Sequence, residues 1–249
     1  MVPVKNLGEL RWYSACFYER DVERGLLKIS QQRFAEELAA EYGIEWGRSV
    51  PLPVSMKLTD FDDNEVCADV PFRELVGPLM WWATQTRPDI VNAVRAVARY
   101  CASPKMVHWK AALGILGRAS DVWVCGCVTW FSRTQKCVTL STTEAEYVAI
   151  ADVLNEVLFL RQLWRFMLPD AGMPCIPVFE GNQGAIQIAH NPIVNSNSKH
   201  IDVRHHYIRG LVERKEISMT HVPTQFQHAD FLTKAISKES FALHRDFYD

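Results

Sequence analysis

Apolar positions along this chain recur with two different periods, and the period changes more than once. Residues 10–18, rich in aromatic and small side chains, read as a strand, and residues 26–29 read as its returning partner across a turn-like stretch from 21 to 25. Ser30 is placed to cap a helix in which Phe34, Leu38 and Tyr42 recur at helical spacing, and Gly43 ends it. Residues 51–69 turn polar and acidic and contain Pro51 and Pro53, the pattern of a linker. Three helical segments follow. The first carries Phe72, Leu75, Val76, Leu79 and Met80, and the second opens at Pro88 and carries Ile90, Val94, Val97 and Tyr100. The third runs from Met106 to Leu116, behind Pro104.

The period shortens after Gly117. Residues 122–125, 127–131 and 138–140 read as strands. Ser141 or Thr142 then caps a long helix, with Tyr147, Ile150, Leu154 and Leu158 along one face. Residues 176–180 form a short strand before a helix at Gly184, Ala185 and Ile186. Residues 203–214 read as helix, 217–222 as strand and 229–236 as the start of a last helix. Strands followed by alternating helix and strand make an α/β fold.

Composition narrows the picture in three ways. A hydrophobic content of 48% in 249 residues is enough for a buried core, in one large domain or two small ones. Trp81, Trp82, Trp123 and Trp164, with apolar neighbours, are read as core rather than as stacking platforms. The seven cysteines are odd in number and irregular in spacing, which points to reduced thiols in a cell; Cys125 and Cys127 stand too close together for a zinc knuckle. No apolar run reaches the length of a membrane span, and residues 1–5 lack a signal pattern, so an intracellular protein, cytoplasmic or nuclear, is expected. The net charge of −2 shows no global basic excess of the kind nucleic-acid-binding proteins carry.

Several strings nevertheless stand out: Thr86-Arg87-Pro88-Asp89-Ile90, Val107-His108-Trp109-Lys110-Ala111, and the run from Ser132 through Leu140-Ser141-Thr142-Thr143-Glu144-Ala145-Glu146-Tyr147. Further on come Lys199-His200-Ile201-Asp202, His205-His206-Tyr207-Ile208-Arg209 and Ala229-Asp230-Phe231-Leu232-Thr233-Lys234. In this order, over nearly the whole chain, they resemble one family, the reverse transcriptase and ribonuclease H region of copia-type retrotransposon Pol polyproteins. The resemblance implies a remnant of the reverse transcriptase C-terminal part at 1–50, a polar linker at 51–70, a helical connection at 71–118 and a truncated ribonuclease H-like domain at 119–249. The expected fold is a helical connection followed by an incomplete ribonuclease H-like mixed sheet with flanking helices.

The family's ribonuclease H cuts RNA in an RNA–DNA hybrid with two Mg²⁺ ions, which need clustered carboxylates. Carried over, the helix carboxylate is Glu146 and the last-helix carboxylate is Asp230; these are the residual catalytic and metal-binding candidates. Glu144, two positions from Glu146, faces elsewhere on a helix and suits the first turn. The third expected Asp is Gly181, and Glu180 faces the opposite way on a strand. The first-strand Asp has no counterpart, because Gly117 passes through Asp121 directly into Val122, so the opening strand is read as deleted. The polymerase Asp pair is expected upstream, and Phe61-Asp62-Asp63-Asn64 is a decoy within the linker. The expectation is therefore a remnant without nuclease activity. Its alternative is a non-catalytic nucleic-acid-binding or domesticated scaffold protein that touches an RNA–DNA hybrid or other nucleic acid through the basic run containing Lys199, Arg204, His205 and Arg209.

Overall fold

The computed structural model describes residues 5, 8–44, 47, 50–62, 64–117, 127–190 and 207–246. The architecture is mixed α/β, with one small antiparallel and one small parallel sheet among its helices. Two units divide it: Met1–Arg133 with His228–Asp249, and Thr134–Gln227.

In the first unit the expected opening strand is two strands. Ser14 and Ala15 both take left-handed φ, at 52° and 60°, and fold the chain back between β1 (Trp12–Tyr13) and β2 (Cys16–Asp21). Two positive-φ residues in a two-residue loop match the twist of an antiparallel pair. β3 (Leu26–Ser30) pairs antiparallel with β2 as expected. The helix that follows, α1 (Gln32–Glu41), starts at Gln31 rather than at Ser30, although the Ser30 hydroxyl accepts the Gln32 N–H at 3.2 Å. Gly43, at φ 62°, closes its C-terminal end.

The core of this unit is helical. α2 (Phe72–Gln85), α3 (Pro88–Ala98) and α4 (Met106–Leu116) bury Leu75, Leu79, Ile90, Val94, Ile115 and their neighbours. Trp82 is buried as expected, whereas Trp81 is exposed. Between α2 and α3, Arg87 grips Asp89 through two hydrogen bonds of 2.7 Å, and both are buried. The Thr86 hydroxyl donates to Gln31 at 2.8 Å. The Thr-Arg-Pro-Asp string thus ties α2, α3 and the start of α1 together.

His108 has an equally structural place. Its Nδ1 accepts the Lys105 N–H at 2.8 Å, which caps α4, and its Nε2 lies 2.8 Å from the Leu58 carbonyl. With Nδ1 accepting, the proton must sit on Nε2 and donate to Leu58, so the ring is neutral. It stacks on Tyr100 and meets the edge of Phe61, which anchors the 51–69 linker. The Asp62 carboxylate accepts the Asn64 N–H at 2.9 Å, a local turn consistent with a linker.

Burial pushes the His108 pKa below the usual histidine value, outweighing the Leu58 bond and Glu65, which pull it up. A histidine held neutral in the fold but free to protonate when unfolded gives stability that is full above pH about 6.5 and falls as pH drops below it. Urea unfolding at pH 7.5 and pH 5.5 checks this. A lower midpoint at pH 5.5 is expected, with a smaller drop in His108→Gln; equal midpoints would contradict it.

Two expected strands are absent. Residues 127–131 and 138–140 form no strand, and Val138 and Leu140 are exposed. The Trp130 indole instead donates to the Ala83 carbonyl at 2.9 Å, and the Arg95 guanidinium reaches the Ser132 hydroxyl at 3.1 Å. β-propensity needs a neighbouring strand to become structure, and among the described residues none pairs with these segments. The strand expected at 122–125, with Trp123, lies outside the described residues.

In the second unit Ser141 caps the long helix α5 (Thr142–Met167) by accepting the Glu144 N–H at 3.1 Å. Tyr147, Ile150, Ala151 and Leu154 face the core, and Leu158 packs at its margin. β4 (Ile176–Glu180) and β5 (Ile217–His221) pair in parallel, Ile176 opposite Ile217 and Glu180 opposite His221. Parallel neighbours need a crossover, which here contains α6 (Gln183–His190) and the helical residues 207–213 (α7). Ala185, Ala189, Ile208, Leu211 and Ile217 complete this core.

The last expected helix also differs. Residues His228–Leu232 are a 3-10 turn, and the helix proper, α8, is Lys238–Asp246. The Asp230 carbonyl accepts the Thr233 N–H, the Lys234 N–H and the Thr233 hydroxyl, each at 3.0 Å, which keeps the turn tight.

Candidate functional site

Glu180 and Gly181 stand at the C-terminal end of β4. Its burial alternates, so Ile176, Val178 and Glu180 turn inward while Pro177 and Phe179 stay exposed. Glu180 is only 7% exposed, and its Oε1 accepts the Asn182 N–H at 2.7 Å. The Asn182 side chain in turn accepts the Ala185 N–H at 3.2 Å, so it caps the start of α6. Its amide donates to the Thr143 hydroxyl at 3.3 Å, which joins the first turn of α5 to the first turn of α6.

Gly184 is what allows that approach. A Cβ there would lie 3.0 Å from both Thr143 Cγ2 and Thr143 Oγ1 and 3.1 Å from Asn182 Oδ1. Gly181 is different. It has no left-handed φ, and a Cβ there would meet only the Val222 carbonyl oxygen, at an ordinary 3.7 Å. Neither backbone nor packing requires glycine at 181.

Glu146 stands on α5, exposed, one turn beyond Thr143 and near its face by i, i+3 spacing. Glu144 is held locally: its carboxylate accepts the Leu140 N–H at 2.7 Å in the first turn. Tyr147, beside Glu146 in sequence, is fully buried; burial pushes its pKa up to about 12, with Arg209 pulling the other way. Arg209, on α7, is half-buried, and its Nε is shielded from solvent without a hydrogen-bond partner. It acts on buried Tyr147 of α5, which places its guanidinium near that side of the unit. Lys199, Arg204 and His205, like Asp121 and Asp63, lie outside the described residues.

Asp230 belongs to the first unit and Glu146 to the second. The Asp230 carboxylate is 2.7 Å from Lys234 Nζ. Close by, His228 and His244 approach through their Nδ1 atoms at 3.2 Å. Burial lowers the pKa of both; His244 lowers that of His228 further, while for His244 Asp230 pulls upward and Lys234 downward. Among the described residues no three His, Cys, Asp or Glu side chains are grouped to hold a metal ion. No helix among them is long and apolar enough to cross a membrane.

Thr143 and Asn182 are the site residues that motif reading passed over. A hydroxyl in the first turn of one helix and an Asn just before another are the available signals, though neither says that the two meet.

Comparison with known proteins supplies the family. The chain is 28% identical to the "Retrovirus-related Pol polyprotein from transposon TNT 1-94" of Nicotiana tabacum over 98% of its own length and 22% of the relative's. It is also 28% identical to the Pol polyproteins of transposons RE2 and RE1 of Arabidopsis thaliana, over 96% of its length and 19% of theirs. It thus spans about a fifth of the length of these relatives. The tobacco match extends over 292 residues, more than the 249 of the whole chain, so the relative has residues opposite which this chain has none. No family model matches the chain, and no solved structure does. The chain is a retrotransposon-derived protein. At the level of family its likeness is to the Pol polyproteins of copia-type elements.

Proposed function

We propose that the chain is a non-catalytic remnant of a Pol polyprotein, and that its second unit descends from a ribonuclease H-like domain whose two-metal site is lost. The observation that carries this reading is residue 181. The family pattern calls for a carboxylate at the end of β4, and the chain has a glycine there that neither its φ nor its neighbours demand. Glu180 does not replace it, because that side chain is turned inward and holds the N–H that opens α6.

The remaining donors do not fit a pair of Mg²⁺ ions. Gly181 offers no side-chain oxygen, and Asp230 is engaged by Lys234. Two ions a few ångströms apart need several carboxylates converging on one place, and losing one such ligand typically removes most of the rate. The order of long helix, strand, helix and parallel strand in the second unit supports the ribonuclease H-like descent. The residues that the tobacco relative has in excess support a deletion, which we place between α4 and Ser132, where the family carries its first-strand Asp. The placement of Arg209 supports a packing role for that residue rather than a phosphate contact. RNA–DNA hybrid cleavage by the wild-type chain and by Glu146→Gln tests the proposal, with none expected from either.

A further inference from the structure

Two histidines of the first unit take no part in the roles described above. His228 opens the 3-10 turn His228–Leu232, and His244 lies in the last turn of α8. Sixteen residues separate them, and the fold brings them together: Nδ1 of one lies 3.2 Å from Nδ1 of the other, with the rings perpendicular and their centres 5.2 Å apart. His244 is buried, and His228 is half-buried and reachable by water.

Two protonated Nδ1 atoms would repel at this distance, so at least one of them presents a bare lone pair to the other. An N–H···N hydrogen bond is one way to fill the gap, and a metal ion is another. Two imidazole nitrogens bound at about 2.0–2.1 Å to a tetrahedral ion stand about 3.3–3.4 Å apart, close to the separation here. The ring centres discriminate further. They fall about 5.2 Å apart when both lone pairs converge on such an ion, against about 5.5 Å when a straight N–H···N bond of the observed length joins them. The value found is that of converging lone pairs. The charged groups that act on His244 are Asp230 and Lys234, which are paired with each other, so no net positive charge stands there to repel an ion.

We propose that His228 and His244 form a two-nitrogen site for a divalent transition-metal ion of the Zn²⁺ class, which ties the turn before α8 to the end of that helix. Imidazole suits Zn²⁺, Ni²⁺ or Co²⁺, whereas Mg²⁺ takes oxygen, so this site is distinct in place and chemistry from the carboxylate site lost at Gly181. Each neutral ring keeps its one proton on Nε2 and gives Nδ1 to the ion. Two protein ligands are fewer than the three or four of a catalytic or structural zinc site, so water on the His228 side completes the coordination.

Equilibrium dialysis of the metal-stripped full chain against Zn²⁺ counts the bound ions. His228→Gln and His244→Gln should each bind one ion fewer than the wild type, while His221→Gln, altered at an exposed histidine, should bind as many. Zn²⁺ should raise the melting temperature of the wild type and of His221→Gln but not that of the other two. X-ray absorption of the wild type at one equivalent of Zn²⁺ needs no variant, and should show two imidazoles, further oxygen neighbours and no sulfur. An unchanged ion count in either His228→Gln or His244→Gln, or a first shell with sulfur or with fewer than two imidazoles, would overturn the proposal.

Discussion

Arg87→Met is expected to destabilise the first unit by about 3–5 kcal/mol, the usual cost of removing one partner from a buried ion pair. Arg87 and Asp89 are 3% and 4% exposed, and they share two hydrogen bonds of 2.7 Å, so the carboxylate left behind would have no water to replace its partner. Arg87 also lies 5.3 Å from the centre of the Trp82 ring, a cation–π contact that methionine keeps only as packing. The double variant Arg87→Met/Asp89→Leu is the informative comparison. If the cost comes from an orphaned charge, removing both charges should recover much of the loss, because a buried pair and an apolar pair of similar volume are often close in free energy. Urea unfolding of both variants measures this. A single-variant loss under about 1 kcal/mol would mean that the pair is solvated in the folded protein.

Gly184→Ala is the second large effect, and its expected sign runs against helix propensity. Alanine within a helix is ordinarily favoured over glycine by about 1 kcal/mol. Here the added Cβ would meet Thr143 Cγ2 and Oγ1 at 3.0 Å and Asn182 Oδ1 at 3.1 Å. Relief requires Thr143 to rotate away from Asn182 or α6 to move off α5, and either loses the Thr143–Asn182 bond that joins the two helices. Overpacking of this kind costs about 1–3 kcal/mol. The second unit should therefore melt at lower temperature in Gly184→Ala, and Thr143→Ala in the same chain should return part of the loss, since the two changes share one contact. A Gly184→Ala variant that is more stable than wild type would show that α5 and α6 do not approach this closely.

Much of the helical framework was legible from spacing. Met106–Leu116 could be read to the residue, because Pro104 precedes it and its apolar positions are dense. Ile176–Glu180 was equally plain, and the structure adds the partner that makes it a strand, β5. Residues 138–140 had the same β-branched and apolar character without a partner, and they remain irregular. Strand propensity describes fitness for a pleated surface, which a sequence window does not contain. The tail failed for a local reason: the Thr233 hydroxyl bonds back to the Asp230 carbonyl, and such competition tightens or ends a helix without altering its apolar period.

The candidate site was legible only as motif positions. Glu146, Gly181 and Asp230 came from strings, and nothing in those strings reveals that Gly181 has room for a side chain while Gly184 has none. Arg209 belongs to a basic run, and a run of charge does not say which side of its helix the core occupies. Its shielded Nε and its action on buried Tyr147 decide that.

Cleavage of a labelled RNA–DNA hybrid, in Mg²⁺ or Mn²⁺, by the wild-type chain and by Glu146→Gln in parallel tests the central claim most directly. Gly181→Asp, which the space around residue 181 accommodates, serves as a folding control with an unchanged melting curve expected. The account predicts no cleavage above background from wild type or from Glu146→Gln, in either metal. Wild-type cleavage that disappears in Glu146→Gln would contradict it, and would mean that another carboxylate has taken the place of the one absent at Gly181.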